Sequence, residues 1–122
     1  MELRTDKIRA CFDRKIGNFT ELWNLSTNTN YVRCAPRDPL IELYGLKNGE
    51  RVKLSGHISD EAEAPDALIL SYDSFGEYDI SAKVTCRCEQ DRLVFSAEIC
   101  NHSTIDVTEI LMPHLGGIYL GN

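Results

Sequence analysis

Two stretches near the end of the chain limit its fold more than any other feature. In Ile80–Cys88, Ala82, Val84, Cys86 and Cys88 alternate with Ser81, Lys83, Thr85 and Arg87, and Leu93–Cys100 continues in the same manner beyond Gln90-Asp91. A period of two puts successive side chains on opposite faces of a strand, so each stretch predicts a strand with one buried face. The two residues between them predict a hairpin. No segment carries the 3.6-residue period of an amphipathic helix.

The rest of the chain follows the same pattern of short apolar runs bounded by Gly, Asn, Asp or Pro. Strands are expected at 3–12, at 19–25 after an Arg14–Asn18 turn, and briefly at 31–34 after the polar loop 26–30. Leu40–Leu46 and Arg51–Ser59 flank Asn48-Gly49, a pair that accepts positive φ and so predicts a tight hairpin. The acidic stretch Asp60–Asp66, DEAEAPD, reads as a solvated loop, and it lacks the glycine turn and alternating oxygens of a calcium loop. Strands at 67–72 and over 107–122 complete the set. About nine short strands at roughly 8- to 12-residue spacing predict an all-β fold, an antiparallel β-sandwich. With 122 residues the chain fits one domain, 1–122.

Charge and cysteine usage remove several function classes. The net charge is −6 and the 13 Lys and Arg are scattered. That leaves no basic patch for nucleic acid and no attraction to anionic lipid. No apolar run approaches the roughly 20 residues of a membrane span, and residues 1–15 have charges where a signal peptide has its apolar core. The five cysteines, 11, 34, 86, 88 and 100, are an odd count that fits reduced thiols in the cytoplasm. Cys86-x-Cys88 with Cys100 and His102 sketches a zinc set, but structural zinc takes C-x2-C pairs. Cys86 and Cys88 fit the buried face of a strand better, as small hydrophobes with no metal.

No catalytic residue stands out. His57, His102 and His114 lie in separate segments and outside any H-E-x-x-H or G-x-S-x-G pattern. A small enzyme such as an epimerase would need His57 or His114 in a pocket beside a carboxylate. Ser71 and Asp73 match the start of the sialidase Asp-box, but Gly76 comes one place late and no Trp follows. Asn18, Asn24 and Asn101 each begin an N-glycosylation sequon. Aromatic rings are the better currency for binding, because they stack on the flat C–H faces of sugars with little entropy to lose. Trp23, the single tryptophan, and Tyr31 beyond the polar loop are the candidate carbohydrate contacts.

Two blocks carry a resemblance. IRACFDRKIGNFTELWNLSTNTNYVRCAPRDPLIELYGL resembles the opening of the large supersandwich, galactose-mutarotase-like, that precedes the catalytic barrel of many glycoside hydrolases. LVFSAEICNHSTIDVTEILMPHLGGIYLG is similar to a later segment of the same domain, with Asn101, Pro113 and Gly117 in matching places. The resemblance implies a non-catalytic accessory sandwich, with no cofactor, that supports a downstream catalytic barrel and contacts glycan. It also implies that the domain continues beyond these residues. Ile110, Met112, Leu115, Ile118, Tyr119 and Leu120 are then expected to form an interface, with the missing half or in a homo-oligomer. The alternative is a stand-alone immunoglobulin-like binding or assembly module that uses its sheet edges for partners.

Overall fold

The computed structural model describes residues 1–90 and 92–115. The described residues form two antiparallel sheets and no helix. The first contains β1 (Glu2–Arg4), β2 (Ile8–Asp13), β3 (Asn18–Asn24) and β4 (Thr29–Asn30), in that order. The second contains β5 (Glu42–Lys47), β6 (Glu50–Ala64), β7 (Ala67–Phe75), β8 (Ile80–Glu89), β9 (Arg92–Asn101) and β10 (Asp106–Leu111). Its order is β10-β5-β6-β7-β8-β9, so β10 crosses from one edge of the sheet to the other. The sheets pack together as a β-sandwich around one core that includes Leu3, Phe12 and Phe19 from the first and Leu43, Leu68, Leu70, Ile80 and Val84 from the second.

The alternation of β8 becomes its buried face, with Ile80, Ala82, Val84, Cys86 and Cys88 all inside. Asn48 and Gly49 turn with φ of 53° and 78°, both positive as a two-residue hairpin requires. Gly45 is a packing requirement, since a Cβ there would stand 2.9 Å from Asp106 O and 2.9 Å from Ile105 Cδ1. Its bare backbone lets the β9–β10 connection close over β5.

Four local expectations change. The strand expected over 3–12 is a hairpin: the Thr5 amide donates to Ile8 O, and the Thr5 hydroxyl accepts from the Lys7 and Ile8 amides. The strand expected at 31–34 forms earlier, as Thr29–Asn30, because Asn30 Oδ1 accepts from the Leu22 and Val32 amides and holds the polar loop against β3. Leu40 and Ile41 are fully buried but precede β5. Residues 60–64 of the acidic stretch belong to β6 and pair with β7, leaving only Pro65-Asp66 as the turn. β5 covers β6 only as far as Ser55, so the acidic half runs along an outer edge. Ladder pairing requires no apolar side chain, and charge on an edge discourages pairing with another chain.

Of the strand expected over 107–122, only its start forms, as β10 paired antiparallel with β5; residues 112–115 belong to no strand, and 116–122 lie outside the described residues. Ile110 is 52% exposed, whereas Met112 and Leu115 are half-buried against the core. Ile118, Tyr119 and Leu120 lie outside the described residues.

Candidate functional site

β3 carries Trp23 beside Arg9 of β2 and Asn30 of β4 in register. Leu22, one residue earlier, points into the core, so Trp23 faces outward and is half-buried. Its Nε1 donates to Glu21 Oε1 at 3.0 Å, fixing the plane of the ring. That hydrogen bond, then one from the Cys11 thiol, and the Arg9 charge hold the Glu21 carboxyl below the usual carboxylate range. Tyr31 follows β4, and its amide donates to Leu22 O at 2.9 Å.

The fold brings the two candidate rings together. Trp23 and Tyr31 line one cleft of about 450 Å³ with Lys7, Asn24, Ser26 and Leu93. Leu93 comes from β9, so both sheets shape the cleft. Trp23 also borders a second cleft of about 370 Å³, lined by Asn28, Thr29, Asn30 and Arg33. Asn24 Oδ1 accepts from the Ser26 and Thr27 amides and keeps the loop between the clefts folded back. Among the described residues, no Asp or Glu lines either cleft. The arrangement offers flat apolar area flanked by amides, hydroxyls and cations.

The histidines are placed differently. His57 Nδ1 lies 2.8 Å from Asp73 Oδ1, with both side chains more than half exposed. That hydrogen bond lowers the Asp73 pKa. His114 stands by two carboxylates, with Nδ1 3.6 Å from Glu42 Oε2 and Nε2 3.8 Å from Asp38 Oδ2. Lys53 Nζ is 3.0 Å from Glu42 Oε1 and 3.4 Å from Asp38 Oδ1. The Tyr44 hydroxyl donates to Glu42 Oε2 at 3.2 Å. Glu42 is 1% exposed although it lies on the outward side of β5, because the segments around Asp38 and His114 cover it. Nothing in the local sequence signals this convergence, which depends on residues far apart in the chain.

The cysteine zinc set does not assemble: Cys86 is buried, Cys100 and His102 are exposed, and all five thiols are free. Burial, with the neighbouring Cys88, pushes the Cys86 thiol up to about 12. Among the sequons, Asn18 is 1% exposed and its Nδ2 donates to Asp38 O and His114 O, so it has no amide to offer a glycan. Ser71 and Asp73 lie within β7, Ser71 paired with Asp60 and Asp73 at a register shift of the β6–β7 ladder.

Comparison of the chain with protein-family models, curated proteins and solved structures gives no match in any of the three.

Proposed function

We propose that the chain is a non-catalytic β-sandwich module that holds carbohydrate across Trp23 and Tyr31, as an accessory domain of a glycoside-hydrolase-like protein. One observation carries the reading: two rings from separate segments of the chain line a single cleft, and one of them also borders a second. An indole fixed by Glu21 loses little further freedom when a sugar stacks on it. The clefts are of ligand-pocket size and are flanked by Asn24, Ser26, Asn28, Thr29 and Asn30, which can exchange hydrogen bonds with sugar hydroxyls. The pattern of residues shared with the supersandwich supports the accessory role, and the sandwich fold accords with it. The free thiols fit a reducing compartment, and no helix of the described residues is long and apolar enough to cross a membrane.

A glycan array followed by calorimetry tests this. The protein should retain a subset of oligosaccharides, and Trp23→Ala should reduce affinity about tenfold or more while leaving the melting temperature within a few degrees. Equal retention by the wild type and Trp23→Ala would remove the cleft from the account.

A second reading has its own support. Leu46, Ile110 and Leu111 are 45%, 52% and 39% exposed on the neighbouring strands β5 and β10. Such apolar groups at a sheet edge suit a stand-alone immunoglobulin-like assembly module or a homo-oligomer. Light scattering separates the two readings, since an assembly module holds one defined mass above the monomer on dilution.

A further inference from the structure

Asp38, Glu42 and His114 share no residue with the aromatic clefts, and the fold builds their meeting point deliberately. Asn18 Nδ2 donates to the backbone oxygens of Asp38 at 2.9 Å and of His114 at 2.7 Å. The His114 amide donates to Leu40 O at 2.8 Å. One buried amide therefore ties together the two segments that bring in the charged groups.

The polar groups at this point are incompletely satisfied. His114 Nδ1 is a buried atom with no hydrogen-bond partner. Glu42 Oε1 is also buried, and the partner it has is the Lys53 ammonium, 3.0 Å away in an ion pair. Two carboxylates face one lysine, leaving one formal negative charge in excess when the imidazole is neutral. Buried polar atoms without partners mark sites where an ion or water belongs.

The spacing indicates which ion. Ligands bound at about 2.0–2.2 Å around a tetrahedral metal lie roughly 3.3–3.6 Å apart. His114 Nδ1 and Glu42 Oε2 are 3.6 Å apart, too long for a mutual hydrogen bond and right for sharing a metal. One ligand atom from each of the three residues lies within 4.8 Å of the others. Asp38 Oδ2 is nearest the other ring nitrogen, Nε2, at 3.8 Å, so this half-buried side chain must rotate to bring an oxygen to the Nδ1 side. An imidazole with two carboxylates favours a borderline cation over calcium or magnesium, which take oxygen alone.

We propose that Asp38, Glu42 and His114 bind a divalent transition cation of the zinc class, with Lys53 as the exchangeable cation that holds the carboxylates until the metal enters. Tyr44 orients Glu42 from behind by its hydrogen bond to Oε2. Three protein ligands leave at least one coordination position for water or another donor.

The test is titration of the chelator-treated, reduced protein with zinc against a chromophoric chelator, repeated with cobalt. One metal per chain should bind. His114→Gln and Glu42→Gln should weaken binding about tenfold or more, and Cys34→Ser/Cys100→Ser should leave it unchanged. Bound cobalt should show tetrahedral d–d absorption without the charge-transfer band of thiolate ligation. Lys53→Met should tighten binding by about tenfold, because it removes a like charge a few ångströms away. That gain distinguishes a metal site from a merely structural ion-pair cluster, in which losing Lys53 has no favourable consequence. Since buried Glu42→Gln risks misfolding, the partly exposed His114→Gln is decisive. No binding by the wild type, equal binding by His114→Gln, or no gain with Lys53→Met overturns the proposal.

Discussion

Asn18 stands at the first position of β3, and its amide spans two segments from distant parts of the chain. Replacing it with alanine removes the donor that both backbone carbonyls share. Asn18→Ala should therefore cost about 2–3 kcal/mol in a urea melt. Tyr72 presents the opposite case. Its hydroxyl is buried without a hydrogen-bond partner, and burial pushes its pKa up to about 12. Tyr72→Phe removes the unsatisfied group and keeps the ring stacked on Phe75, so it should stabilise the fold by about 1 kcal/mol. Together Tyr72 and Cys86 set an alkaline limit. Burial raises both pKa values to about 12 in the folded state, whereas in the unfolded chain the thiol ionises near 8.5 and the phenol near 10. Folding thus binds protons that unfolding releases. The contribution is complete below about pH 8.5 and is lost as pH rises toward 12. Stability in urea should fall by a few kcal/mol between pH 8 and 10.5, and Cys86→Ala/Tyr72→Phe should make that fall shallower.

At the scale of elements, the hairpins with strong local signals were legible. Asn48-Gly49 fixes one register, and the alternation of β8 by itself identifies the buried face. The acidic end of β6 was illegible because composition reports hydration and not backbone pairing; Glu61 and Glu63 sit opposite Leu70 and Leu68 in an ordinary ladder. The early position of β4 depends on one side chain, Asn30, whose oxygen serves two amides. β10 provides the prediction for this scale. Its exposed Ile110 and Leu111 add little to the monomer, so Ile110→Lys/Leu111→Lys should change stability by less than about 1 kcal/mol. If that edge joins two copies, the same change should reduce the mass seen by light scattering to that of the monomer.

The whole molecule is a sandwich whose first sheet carries the aromatic clefts, while the second carries the Asp38–Glu42–His114 cluster at its β5 end. Trp23 and Tyr31 were nameable from the sequence because aromatic residues beside a polar loop are locally visible. The Asp38–Glu42–His114 cluster was not, because only the return of the chain past β10 brings His114 to β5. Trp23 is the only tryptophan, so its fluorescence reports on the cleft and on nothing else in the protein. The most direct measurement of the central claim is therefore a fluorescence titration with the oligosaccharides retained on an array. Binding across Trp23 should give a saturable change in emission that Tyr31→Ala weakens and that salt leaves nearly unchanged. An emission spectrum that stays constant while calorimetry shows the sugar binding would place the ligand elsewhere and contradict the account.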